Sequence, residues 1–114
     1  MENNGIYLNT IFLIDFVLSC PYMNLNNSKL YNSVKGFQFV GILRYSSLNS
    51  HINIRICRND DLENLIFILI YLYKRRLTWE NIKAKEEKNK FKQKKKMTSS
   101  FELCRNMPDE FEKI

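Results

Sequence analysis

Few groups in this chain are suited to chemistry, and their types and spacing narrow what it can attempt. His51 is the only histidine, and Cys20, Cys57 and Cys104 lie far apart with no Cys-x-x-Cys pair. The ligand spacing of a zinc site is therefore missing. Three cysteines are also an odd number, whereas a disulfide framework needs even, dense spacing in a secreted chain. Reduced thiols in an intracellular protein, cytoplasmic or nuclear, are the expectation. Asp15 stands in an apolar run, Leu13-Ile14-Asp15-Phe16, where a carboxylate either holds a cation or ends a strand. Lysine is the abundant reactive group. From Lys83 to Lys96 eight lysines stand against Glu86 and Glu87, an excess that equals the net charge of the whole chain, +6. Such a patch attracts nucleic acid, anionic lipid or acidic peptide, or is simply a solvated helix face. Apart from Phe91 no aromatic residue interrupts it, so a base-stacking platform, and with it specific nucleic-acid binding, is not expected.

The elements that must position these groups follow from periodicity and punctuation. A chain of 114 residues makes at most one domain, and its 45% hydrophobic share is enough for a packed core. Glycine (3) and proline (2) are scarce, which speaks for a helix-rich fold. Gly5–Leu18 is rich in Ile, Phe, Leu and Tyr and reads as a short strand or hairpin. Pro21–Phe39 is polar and aperiodic and reads as a long loop. Asp60–Tyr73 opens with acidic residues and is followed by Lys74, Arg75 and Arg76, charges that suit the two ends of a helix. Its second half is apolar on every side, as in a central core helix. Trp79–Lys96 is charged and helix-prone, and Ser99 or Ser100 and then Pro108-Asp109-Glu110 offer two further helix starts. No membrane span is expected. Ile11–Leu18 is broken by Asp15, and Leu65–Tyr73, at nine residues, is well short of the roughly 20 a bilayer requires.

One stretch is more specific. Gly41-Ile42-Leu43-Arg44-Tyr45-Ser46-Ser47-Leu48-Asn49-Ser50-His51 resembles the end of the activation segment of casein kinase I enzymes, Gly-Thr-Ala-Arg-Tyr-Ala-Ser-Ile-Asn. Arg58-Asn59-Asp60-Asp61-Leu62-Glu63 is similar to the Arg-Arg-Asp-Asp-Leu-Glu that opens helix F in that family. Leu77-Thr78-Trp79 stands where the family has Leu-Pro-Trp, and Lys95-Lys96-Met97-Thr98 resembles its Lys-Lys-Met-Ser. Upstream, Leu13-Ile14-Asp15-Phe16 looks like the strand and metal-binding Asp-Phe-Gly motif, with Val17 in place of the glycine. Five motifs in order and spacing cover roughly residues 6–111.

The resemblance implies a mainly α fold, a partial protein-kinase C-lobe. It would have a short N-terminal hairpin or strand with the Asp-Phe-Gly-like region (5–18), a long activation-segment-like region (19–50) and a helical part (59–114). It further implies ATP-dependent serine/threonine phosphorylation with Mg²⁺ for the family, and inactivity for these residues alone. They contain no glycine-rich loop, no strand lysine paired to a helix glutamate and no catalytic-loop aspartate or asparagine, so no cofactor is expected here. Asp15 is the implied, vestigial metal ligand, and Asp61 matches the aspartate that braces the catalytic loop from helix F. Trp79 is structural. Arg44 and Lys90 are the implied anion-binding pair for acidic or phosphorylated substrates, in a pocket that Glu80 and Asn81 would line. Ile42 replaces a threonine that helps place substrate.

Three readings follow in order: a truncated or degenerate kinase fragment; a noncatalytic binding module for acidic or phosphorylated partners; and a nucleic-acid or membrane-surface binder acting through Lys83–Lys96. With the covering segments absent, the apolar sides of the central helix are expected to stay exposed, so that the chain needs a partner to cover them.

Overall fold

The computed structural model describes residues 9–31, 40–83, 88–111 and 113. The chain divides into two compact units, Met1–Leu30 and Tyr31–Ile114, each described by itself. The architecture is mainly helical. Among the described residues the β-structure is confined to single bridge residues, an antiparallel pair between Met23 and Leu30 and one at Ile54, with no extended ladder.

In the first unit the expected strand does not form. Residues 9–18 are irregular and exposed, with Ile11 at 98%, while residues 5–8 of that expectation lie outside the described residues. β-Propensity states only that a side chain fits a pleated, half-buried surface, and no ladder partner supplies that surface here. The chain instead reverses later, through asparagine turns. Asn24 accepts from the Asn26 amide (2.9 Å) and Asn27 from the Lys29 amide (3.0 Å), which closes the Met23–Leu30 bridge.

The second unit is built on helix α1, Arg58–Lys74, which contains the expected Asp60–Tyr73 and extends two residues before it and one beyond. Its start is a capping arrangement. Asp60 reaches back to accept from the Cys57 amide (2.8 Å) and thiol (3.1 Å), satisfying an N-terminal donor. It ends where Arg75 turns left-handed (φ 62°) and its amide closes on Tyr71 O at 2.7 Å. Helix α2, Lys88–Met97, follows a turn at residues 78–81, and residues 84–87 of the expected Trp79–Lys96 helix lie outside the described residues. Helix α3, Ser100–Cys104, starts on Ser99, whose hydroxyl accepts from the Glu102 amide at 3.1 Å. A 3₁₀ turn, Asp109–Phe111, follows Pro108.

The core is small. Phe67 and Ile70 of α1, Leu77 and Trp79 of the turn, and Phe91 of α2 are its buried apolar members. Phe67 and Trp79 meet edge to face at 5.1 Å, a favourable aromatic geometry. Of the other apolar residues of α1, Ile66 and Tyr71 are half-buried, while Leu62, Leu65, Ile68, Leu69, Leu72 and Tyr73 are exposed.

Candidate functional site

The segment between the first unit and α1 is positioned by side chains rather than by regular structure. Lys95, on the inner face of α2, is 5% exposed and sends its ammonium onto this segment. Its Nζ donates to Leu43 O (2.8 Å) and Ser46 O (2.5 Å) and lies 3.1 Å from His51 Nε2. Those three acceptors match the three donors of an ammonium. The same Nζ sits 5.3 Å from the Phe67 ring centre and 5.2 Å from that of Trp79, distances at which an aromatic face attracts a cation. Trp79 adds a fourth tether, its indole N–H donating to Arg44 O at 2.7 Å.

Burial, reinforced by the charge of Lys95 and then of Lys88 and Lys92, pushes His51 down to about 4. Burial likewise lowers Lys95 to about 7, with Glu63 only partly opposing it. His51 is therefore neutral at physiological pH and accepts through Nε2. It lies parallel to Phe91 with centroids 6.4 Å apart, and Ser46 Oγ is 3.2 Å from the same nitrogen. On the other side of the cluster, the Asn49 amide donates to Asp60 at 2.9 Å. Burial works to raise the Asp60 carboxyl, but hydrogen bonds from Cys57, Ser47 and Asn49 outweigh it and hold the group below the usual carboxylate range.

These tethers shape an open groove of about 730 Å³ between residues 41–45 and 80–83, with Phe91 also lining it. Gly41, at φ 134°, occupies backbone space that a Cβ would forbid. The groove brings together Ile42, Arg44, Glu80 and Asn81, four residues singled out from the sequence, with Lys83 of the basic run. Lys90 does not line it; it lies on the exposed face of α2. Ile42 and Tyr45 give the groove apolar lining, so a ligand here would meet cationic, anionic and apolar surface at once.

The remaining sequence candidates stand apart from this site. Asp15 belongs to the first unit and is exposed. It carries the left-handed backbone itself (φ 63°), and Val17 shows no positive φ. Aspartate is one of the residue types that tolerate this conformation. A Mg²⁺ ion needs near-octahedral oxygen ligation. Asp15 offers a single carboxylate, and among the described residues no three metal-ligating side chains gather. The described residues around Asp15 therefore do not fit the metal. Asp61 lies in the first turn of α1 and is exposed. Burial of its carboxyl and the charge of Asp60 raise its pKa. The bracing carboxylate at this helix start is Asp60, one residue earlier. Trp79 is buried at the centre of the core. The three cysteines form no disulfide, and among the described residues no helix is long and apolar enough to cross a membrane.

Sequence reasoning met Lys95, His51, Asp60 and Lys83 only as members of motifs or of the basic run, and gave none of them an individual role in this site. One signal for Lys95 was available: it follows Phe91 by four positions, which puts both on one face of α2. No protein-family model matches the chain.

Proposed function

We propose that the chain is a noncatalytic relative of the casein kinase I substrate lobe, one that holds acidic protein segments and does not transfer phosphate by itself. The observation that carries the reading is the groove at Arg44. It unites the activation-segment-like residues 41–45 with the Glu80-Asn81 turn next to Trp79, a juxtaposition that the motif order alone implied. The five motifs supply the remaining support. Phosphoryl transfer is mostly positioning and charge neutralisation, and these residues contain neither the phosphate-binding nor the hydroxyl-activating parts.

Arg44 and Lys83 give the groove two positive charges, which Glu80 opposes in part, so that a carboxylate-rich or phosphorylated segment meets a net cationic surface. The purified chain is expected to show no phosphotransfer to casein with Mg·ATP, and to bind a fluorescent Glu/Asp-rich peptide with an affinity that falls with salt. Arg44→Ala should weaken that binding by about 5–10-fold, and Glu80→Gln should strengthen binding of the phosphorylated version of the peptide more than that of the unphosphorylated one. Turnover that survives repurification, or peptide binding indifferent to Arg44, would overturn the proposal.

A further inference from the structure

A second recess, of about 290 Å³, lies behind the Lys95 cluster between α1, Trp79, α2 and α3. Its floor is the core itself, Phe67, Ile70 and Trp79, all buried. Ile66, Leu103 and Cys104 form half-buried walls, and Ser100 is the exposed residue of the lining, which places the opening by the first turn of α3. Two charged groups border this space, Lys95 and Glu63, with the Cys104 thiol and the Thr98 and Ser100 hydroxyls also in the lining.

The two groups are not equivalent. The ammonium of Lys95 already meets Leu43 O, Ser46 O and His51 Nε2, which accounts for its three donors. Glu63 accepts the Leu48 amide at 3.3 Å, and an ionised carboxylate has lone pairs for about four donors. Burial raises the Glu63 carboxyl, and the Leu48 hydrogen bond offsets that only in part. Of these two charged groups, the one with capacity to spare is therefore an acceptor, set at the wall of an aromatic and aliphatic pocket. An apolar concavity with one or two convergent polar groups is the usual build of a small-molecule site.

We propose that this cavity binds a small apolar molecule carrying a single hydroxyl donor, its body against Phe67, Ile70 and Trp79 and its hydroxyl on Glu63. The volume is about ten times the roughly 30 Å³ share of one liquid water, which suits a ligand of about ten non-hydrogen atoms. The inference is independent of the kinase resemblance and of the Arg44 groove, which lies on other residues.

Trp79 is the only tryptophan of the chain and lines the cavity, so its fluorescence reports occupancy directly. Titration of the full chain with 4-propylphenol is expected to give a saturable change in emission. Propylbenzene, which lacks the hydroxyl, should bind about tenfold more weakly, the discrimination of one hydrogen bond to a charged acceptor. Glu63→Gln keeps the shape but weakens the acceptor, and should reduce that preference to about threefold or less. Ile66→Phe and Leu103→Phe each fill the space and should abolish the saturable change, with helix content checked by circular dichroism so that a variant that fails to fold is set aside for the other. No saturable response from the parent chain, equal affinity for the two probes, or an undiminished response in a folded filled variant would overturn the proposal.

Discussion

Lys95 ties α2 to the segment ahead of α1 through one side chain. Its nitrogen fastens α2 to the carbonyls of Leu43 and Ser46, and it does so beside an imidazole that must stay neutral. Protonating His51 would put two cations about 3 Å apart in a poorly hydrated site, where like charges repel strongly. The pH dependence follows from the two depressed pKa values. His51 titrates at about 4 in the fold against 6.5 when unfolded, so between those values the unfolded chain holds more protons and stability falls as pH falls. Lys95 titrates at about 7 against 10.5, so its contribution likewise falls from pH 10.5 down to 7. Urea midpoints should therefore rise from pH 4 towards pH 10. His51→Gln should flatten the limb below 6.5, and Lys95→Met the limb above 7. A maximum near pH 7, or variants that leave both limbs unchanged, would contradict this account. Little of the cluster was legible in the sequence. Eight lysines in fourteen positions (83–96) look alike by composition, and only packing distinguishes the buried one from its solvated neighbours. Asp60 and Asp61 are likewise adjacent and identical, and the turn at Cys57 decides which of them faces inward.

Helix α1 was the most legible element, because its bounds rest on local physics: acidic residues at the start, cations at the end and an apolar interior. The Ser99 cap of α3 was legible for the same reason, since a hydroxyl accepting from an amide three residues on needs no distant partner. A strand is different. Residues 9–18 have strand-forming side chains, yet pairing and burial have to come from elsewhere in the chain, and periodicity cannot report whether they do. The faces of α1 were legible in part. The sequence marked it as apolar all round, which implies cover on every side, whereas Phe67 and Ile70 are the apolar residues it buries and Ile66 is half-buried. That division makes a sharp comparison. Ile70 is fully buried, so Ile70→Ala should cost about 2–5 kcal/mol by transfer and cavity terms. Leu69, one residue earlier and exposed, should tolerate Glu within about 0.5 kcal/mol while making the protein more soluble. Denaturant curves and sedimentation of the two variants check both statements, and similar costs at the two positions would mean that Leu69 is covered in solution.

At the scale of the whole molecule, a core of five buried apolar residues among those described carries a chain that leaves six large apolar side chains of one helix in contact with water. Each of these forgoes roughly 1.5–3 kcal/mol of burial, in a class of molecule whose net stability is about 5–15 kcal/mol. The isolated chain is expected to unfold below about 5 kcal/mol and to bind a dye for exposed apolar surface. A sharp transition well above that value, without dye binding, would show that the chain covers α1 by itself. The scaffold nonetheless holds the Arg44 groove through four polar tethers, from Lys95 and Trp79, so the site is set by the best-packed part of the molecule. The most direct test of the account is amide NMR of the full chain titrated with a Glu/Asp-rich peptide. The account predicts saturable shifts concentrated at residues 41–45 and 80–83 and lost in Arg44→Ala. Shifts confined to the exposed lysines of α2, unaffected by Arg44→Ala and removed by moderate salt, would contradict it and leave the basic helix as a nonspecific surface.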